Sequence, residues 1–332
     1  MPHAFAQRSR LLSGVALLAA GALALAGCSS TGASEDASSA ETEATDATWP
    51  RTFENADGTT TEIPEQPTSI VSTSASTTGT LLAIDAPVVA SASAANGEFF
   101  AQWADVAEEQ GVENLFAAGE VDLEAVYAAD PDLIVVSTSG ADSLIDNLAD
   151  LQEIAPTIVV DYGAQTWQDL AEQFGEATGL EAEAEAAISE YEEYVAEAAT
   201  KITVPEGTAN IISFNGPGEN NNIARAGSVH GDLLESLGFE LEDPPAEWNT
   251  LDALRTDFIF ATYENLTELT SETTFVLSVD DEGAQAFAED PTMANVPSVA
   301  AGQVYGLGAN SFRIDKYSAI EVVDGIVANF GD

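Results

Sequence analysis

The chain has 332 residues, is 45% hydrophobic and carries a formal net charge of −49, from 57 acidic residues against 8 basic ones. That length and apolar share can build two medium α/β domains or one large one. The charge excludes nucleic acid as a partner, because phosphate recognition needs clustered Lys and Arg.

Residues 1–27 read as a secretory signal: Arg8 and Arg10 open it, and Leu11 to Ala26 form the apolar stretch. The stretch is shorter than the ~20 residues a membrane span needs and is interrupted by Gly. It ends in Leu25-Ala26-Gly27-Cys28, which resembles the bacterial lipobox, and Cys28 is the only cysteine. No intrachain disulfide can form, and Cys28 is the expected lipidation site. Residues 28–48 are the lipidated Cys and a Ser-, Thr-, Ala- and acid-rich segment with no large apolar side chain until Trp49. This composition predicts a disordered tether with a reach of about 25 Å.

Folding is expected from Trp49. Asp57-Gly58 between β-prone runs predicts a hairpin. Ile70-Val71 predicts a strand running into a Ser/Thr loop, Ser72 to Thr78, with a short helix at Leu81 to Ile84. Strands at Val88–Ala90, Leu133–Val136 and Ile158–Val160 alternate with helices at Phe99–Val106, Leu123–Ala129 and Leu144–Ile154. Such alternation argues for parallel α/β architecture. Trp167 to Gly179 is helical, and Glu181 to Thr200 is the longest uninterrupted helical signal, with Ile188, Tyr191, Val195 and Ala198 at helical spacing. Alternation resumes with strands at Ile211, Phe258, Phe275 and Val304, a polar loop from Phe214 to Gly227, a helix at Leu233–Leu237 and a final helix from Asp315 to Asn329. The expected fold class is α/β: two Rossmann-like lobes, joined by a single long α-helix, with a ligand cleft between them. The N-terminal lobe is placed at 49–165, the linking helices at 166–204 and the C-terminal lobe at 205–332.

Several strings, in order, resemble the siderophore-type binding proteins of ABC importers. They are Ile70-Val71-Ser72-Thr73-Ser74, Thr78-Gly79-Thr80-Leu81-Leu82 with Asp85-Ala86-Pro87-Val88, Ala129-Asp130-Pro131-Asp132-Leu133-Ile134, and Ile154-Ala155-Pro156-Thr157. Leu234-Glu235-Ser236-Leu237-Gly238-Phe239, Gln303-Val304-Tyr305-Gly306 and Phe312-Arg313-Ile314-Asp315 follow. The likeness runs from Trp49 to the last helix and is greatest to the catecholate, enterobactin-type branch. The resemblance implies capture of an iron(III)–siderophore complex outside the cytoplasmic membrane and delivery to a membrane permease. The chain is expected to have no enzymatic activity and no resident cofactor, to be a monomer, and to be held by its lipid anchor on the outer face of the cytoplasmic membrane. A surface acid on each lobe is implied to meet the permease: Glu124 in the first lobe, Glu235 or Asp252 in the second.

A ferric tris-catecholate is anionic, so its cleft should offer cations and aromatic faces. Beyond the signal only Arg51, Lys201, Arg225, Arg255, Arg313 and Lys316 are basic. Arg313 matches a ligand-contact position of the family, and a guanidinium suits catecholate oxygens and aromatic rings. Arg225 stands in a loop where the family has an aromatic contact, and is expected to replace stacking with charge. Trp103, Tyr162, Phe214 and Trp248 are candidate ring partners. Ser72, Thr73 and Ser74 are candidate hydrogen-bonding groups at a strand end.

Other chemistries fit less well. His230 is the only histidine outside the signal. The usual zinc or manganese sets are therefore missing, and a serine hydrolase would have one candidate base and no nucleophile elbow. Gly216-Pro217-Gly218 lacks the Gly and Lys of a phosphate loop. Open alternatives are a different cargo (hydroxamate siderophore, haem or corrinoid) and a structural or adhesive surface lipoprotein on the same scaffold. The scattered acids fit a hydrated surface suited to saline surroundings. Melting is expected at higher temperature in about 1 M salt, where charges are screened beyond about 3 Å, than in dilute buffer; the opposite trend in a thermal scan would sink that idea.

Overall fold

A computed structural model describes residues 48–138 and 140–331. The signal, Cys28 and the tether up to residue 47 lie outside the described residues. The described residues form one compact unit.

The unit opens with the expected hairpin. β1 (Arg51–Glu54) and β2 (Thr60–Ile63) pair antiparallel around Asp57-Gly58. Gly58 takes φ 84°, and Thr59 donates through its backbone N–H and its hydroxyl to the Asp57 carboxylate.

A five-stranded, wholly parallel sheet follows, in the order β5-β4-β3-β6-β7. Its strands are β3 (Ile70–Ser72), β4 (Val88–Ser93), β5 (Glu113–Ala117), β6 (Leu133–Ser137) and β7 (Thr157–Val160). α1 (Ala75–Ala83), α2 (Ala101–Gln110), α3 (Leu123–Ala128) and the short α4 (Leu148–Leu151) connect them. β6 and β7 are buried along their whole length, as their unbroken Leu, Ile and Val runs require in a sheet covered on both faces.

Two helices then cross to the second half. α5 (Trp167–Thr178) starts at a capping box, in which Thr166 and Asp169 satisfy each other's backbone N–H groups. Gly179 ends it in the left-handed conformation, φ 74°. α6 (Glu181–Ala199) buries Ala184, Ala187, Tyr191, Val195 and Ala198, one stripe at helical spacing.

The second sheet is mixed. β8 (Thr208–Ile212) pairs parallel with β12 (Thr273–Val276), which pairs parallel with β13 (Val304–Gly306). β9 (Asn221–Ala224) and β11 (Phe258–Ala261) extend the other side antiparallel, and the two-residue β10 (Glu240–Leu241) joins β8. α7 (Val229–Ser236), α8 (Asp281–Ala288), α9 (Pro297–Ala301) and α10 (Lys316–Phe330) complete the chain.

Several expectations are corrected. The Ser72–Thr78 segment is not a loop: α1 begins at Ala75, and the Thr77 and Thr78 hydroxyls both donate to the Ser74 carbonyl. The polar Phe214–Gly227 segment contains β9. The expected helix at 144–154 shrinks to a single 3₁₀ turn and the four residues of α4.

One core runs through both halves. Leu81 and Trp103 of the first, Phe174 and Tyr191 of the crossing helices, and Ile211, Phe275 and Val323 of the second belong to the same buried cluster. α10 packs against α6, α1 and α2. Lys316 pairs with Glu190 of α6 at 2.6 Å, and the Tyr194 hydroxyl donates to Asp324. Each half also keeps a cluster of its own on the far face of its sheet.

Candidate functional site

A cleft of about 880 Å³ lies between the two halves, within the range of small-molecule sites. Its first wall is built at the carboxyl ends of β6 and β7 and the start of α5: Thr138, Gly140, Asp161, Tyr162 and Trp167. That is where parallel α/β sheets place ligands. The second wall comes from the turn before α7 (Gly227, Ser228), the entry to β11 (Leu254 to Phe258) and the turn before α10 (Phe312, Arg313).

Six described residues are basic. Five are held in ion pairs: Arg51 with Glu181, Lys201 with Glu197, Arg225 with Asp243, Arg255 with Asp257 and Lys316 with Glu190. Arg313 alone has no carboxylate partner among the described residues. Its guanidinium lies 4.6 Å from the Phe312 ring centroid and 5.5 Å from that of Tyr162. It therefore reaches from the second wall onto an aromatic ring of the first, while every other Lys and Arg among the described residues is ion-paired.

Tyr162 is held from behind. Its hydroxyl donates to Asp142 Oδ1 at 2.9 Å. Asp142, itself buried, accepts on Oδ2 from the Ser74 hydroxyl at 2.6 Å and the Ser76 N–H at 3.0 Å. Burial and the Asp142 charge raise the Tyr162 phenol, and Arg313 opposes them. Tyr162 thus stays a neutral donor.

The remaining sequence candidates are placed as follows. Ser72, Thr73 and Ser74 are buried and line no part of the cleft. Their hydroxyls bond internally, to the Ser74 carbonyl, the Val135 carbonyl and Asp142 respectively. Ser74 reaches the cleft wall only at second hand, through Asp142, which also accepts from Tyr162. Trp103 is fully buried between Phe99 and Phe100. Phe214 packs on Tyr263 and Phe287, and Trp248 packs on the same far-side cluster; neither lines the cleft. Arg225 is also outside the cleft lining, bound through Nε and Nη2 to Asp243 at 3.3 and 3.2 Å. The structure thus places Arg225 on a carboxylate 18 residues on, away from the cleft lining where a ligand contact was expected. Arg313 and Tyr162 are the two candidates the structure brings together. Glu124, Glu235 and Asp252 are all exposed.

Arg255 was not anticipated as part of the cleft lining. Arg255 lines the cleft mouth and grips Asp257 with two bonds of 2.7 and 2.6 Å. Leu254 and Phe312 are the exposed apolar residues of the same rim. The Leu-Arg-x-Asp string before a strand carries no family-independent signal. Among the described residues no group of three or more His, Cys, Asp or Glu is placed to hold a metal ion.

Two buried ionisable groups border the cleft and act oppositely. Burial pushes the His230 imidazole from 6.5 down to about 4, and the Asp315 carboxyl from 3.8 up to about 6. As pH falls from 6.5 towards 4, the unfolded chain protonates His230 while the folded chain refuses, so stability falls. Between pH 6 and 3.8 the folded chain holds a proton on Asp315 that the unfolded chain has released, so stability rises as pH falls. The two offset one another. Asp315→Asn keeps the helix cap but removes the second effect. Its stability in urea titrations should fall more steeply than wild type between pH 6 and 4, by on the order of 2–3 kcal/mol across the window. Parallel pH profiles for the two proteins would contradict this.

A family model described as "Periplasmic binding protein" matches residues 70–311, taking in both sheets and most of the cleft wall. The chain belongs to this family. Among its relatives, the ferric enterobactin-binding periplasmic protein FepB of Escherichia coli O6:H1 is 38% identical over 294 residues, 86% of this chain and 92% of that protein. The crystal structure of holo-ViuP is 51% identical, with a TM-score of 0.83 over 86% of this chain and 96% of that one. The probable siderophore-binding lipoprotein YfiY of Bacillus subtilis is 26% identical over 59% of each chain. The catecholate-siderophore binding protein VctP of Vibrio cholerae, at 19% identity and a TM-score of 0.58, shares the fold. The two-lobed family architecture is the one the alternating pattern predicted.

Proposed function

We propose that this chain captures an iron(III)–siderophore complex of catecholate type in the interlobe cleft and delivers it to an ABC permease. Arg313 carries the reading. It is the one basic side chain without an ion-pair partner among the described residues, and it sits on aromatic rings in a cleft of suitable size. An anionic, aromatic, flat-faced ligand matches a guanidinium backed by Tyr162 and Phe312. The similarity to a ferric enterobactin-binding protein supports the same cargo class. The iron enters as cargo, already chelated, with no resident cofactor needed.

The chain is proposed to leave the cytoplasm through residues 1–27 and to stay on the outer face of the cytoplasmic membrane through lipid on Cys28. Exposed Glu124, with Glu235 or Asp252, supplies the acids for docking on the permease. The protein is proposed to act as a monomer and not as an enzyme.

The test is a fluorescence titration with ferric enterobactin, beside a ferric hydroxamate, haem and a corrinoid. Trp167 is the tryptophan that lines the cleft. Saturable quenching by the catecholate, with weaker or no response to the others, is the expected result. Quenching led by the hydroxamate would shift the cargo. Silence towards every chelate would favour a surface protein that borrows the scaffold.

A further inference from the structure

In a strongly acidic chain a guanidinium finds a carboxylate, as Arg255 finds Asp257 with two bonds of 2.7 and 2.6 Å. Arg313 instead faces the Tyr162 ring, 5.5 Å from its centroid. A carboxylate stands one step further on: Asp142 Oδ1 accepts from the hydroxyl of that same ring at 2.9 Å.

Asp142 is built into this place. Its other oxygen accepts from the Ser74 hydroxyl at 2.6 Å and the Ser76 N–H at 3.0 Å. Ser74 is the cap residue of α1, yet its hydroxyl makes no cap bond. It turns to Asp142, and Asp142 takes an N–H of the first helical turn in its stead. A carboxylate is favoured at a helix N-terminus. Gly140 leaves the room. It takes φ 83°, and a Cβ there would overlap the Tyr162 hydroxyl and stand 2.7 Å from Asp142 Oδ1.

A phenol that donates to a carboxylate is polarised by it, because charge-assisted hydrogen bonds strengthen their neighbours. A cation over an aromatic face is held by the electron density of the ring. Asp142 and Arg313 act on the Tyr162 phenol in opposite senses, as groups on either side of one ring must. We propose that Asp142 is a positioning residue for Arg313: its charge reaches the guanidinium through Tyr162 and holds it across the cleft without pairing it. A direct ion pair would occupy the N–H edges of the guanidinium, whereas the relay leaves them to an anionic ligand. Ordering a long side chain before the ligand arrives also removes that cost from binding. The benefit to binding rests on the ferric-catecholate reading of the cleft; the hold on Arg313 exists in the free protein.

The test uses Asp142→Asn in the full-length chain, with two readouts. The change keeps the shape. Ser74 and Ser76 both donate, so they take the amide oxygen, and the NH2 group turns to Tyr162, whose hydroxyl then accepts instead of donating. The first readout needs no ligand. It is the Arg313 Nε–H resonance in a nitrogen-15 NMR spectrum, assigned by its loss in Arg313→Ala. In wild type the ring currents of Tyr162 and Phe312 displace it, and in Asp142→Asn it should move towards the position of free arginine. The second readout is affinity for ferric enterobactin. Asp142→Asn should weaken it about fivefold in the wild-type background and less than about twofold in the Arg313→Ala background. A merely structural role would cost the same in both backgrounds, so equal losses would overturn the proposal. An unmoved Arg313 resonance would overturn it whatever the affinities do. A wild type that binds no ferric catecholate, with the resonance still moved by Asp142→Asn, would end the cargo reading and leave the hold on Arg313 standing.

Discussion

Arg313→Ala is expected to weaken ferric-catecholate binding at least tenfold, about 1.4 kcal/mol or more. The physical reason is charge scarcity. A chain with a net charge of −49 must bind an anion against its own field, and five of its six described cations are neutralised by local carboxylates. Arg313 breaks no ion pair when removed, so thermal stability should change little and the loss should appear in affinity. Arg313→Lys should fall between, because an ammonium keeps the charge but loses the flat face that lies on Phe312 and Tyr162. Arg225→Ala is the contrast. Its guanidinium already serves Asp243 outside the cleft, so affinity should stay within about twofold of wild type. A titration in which Arg225→Ala loses as much as Arg313→Ala would show that general charge, not position, holds the ligand.

Gly79→Ala is expected to destabilise the protein by about 2–3 kcal/mol, although Gly to Ala inside a helix ordinarily gains about 1 kcal/mol. Gly79 lies in α1, and a Cβ there would stand 2.5 Å from Asp315 Oδ2 and 2.8 Å from Trp103 Cδ1. Neither neighbour can give way easily. Asp315 caps α10 by accepting from the N–H groups of Tyr317 and Ser318, and Trp103 is fully buried. Gly325, in the middle of α10, has nothing within 4 Å of its would-be Cβ, and Gly325→Ala should stabilise by about 1 kcal/mol. The same chemical change is thus expected to lower the melting temperature at one helix glycine and raise it at another. Because Asp315 follows Arg313 by two residues, Gly79→Ala should also weaken ligand binding. A Gly79 variant melting at or above wild type would refute the close approach.

The sequence exposed the architecture more readily than the site. Long periodic signals such as Glu181–Thr200 became helices with nearly the expected ends, since burial of one stripe and the absence of Gly and Pro are both local properties. β9 was hidden because Asn221-Asn222 has turn chemistry, and only pairing with β11 makes it a strand. Ser72, Thr73 and Ser74 looked like ligand contacts because hydroxyls at a strand end are equally suited to ligand and to backbone; the structure spends them on the backbone and on Asp142. Trp103 and Tyr162 were indistinguishable as aromatics, and only tertiary packing buries the first and presents the second. Arg313 was legible through its family-like string, but its freedom from carboxylates depends on where all the other acids fall. The link from Asp142 through Tyr162 to Arg313 left no trace in sequence, because only the folded chain brings its three members together.

The helix that ends the chain lies against the first two helices of the first half. Val322, Val323 and Ile326 complete the same buried cluster as Leu81 and Trp103, more than 200 residues upstream. The half that is synthesised first therefore cannot seal its interior until the last turns of the polypeptide exist. Contacts of such sequence separation slow folding, and a nascent or partly exported chain would keep the α1–α2 surface uncovered throughout. Truncation before residue 316 should accordingly damage the amino-terminal half as severely as the half it shortens.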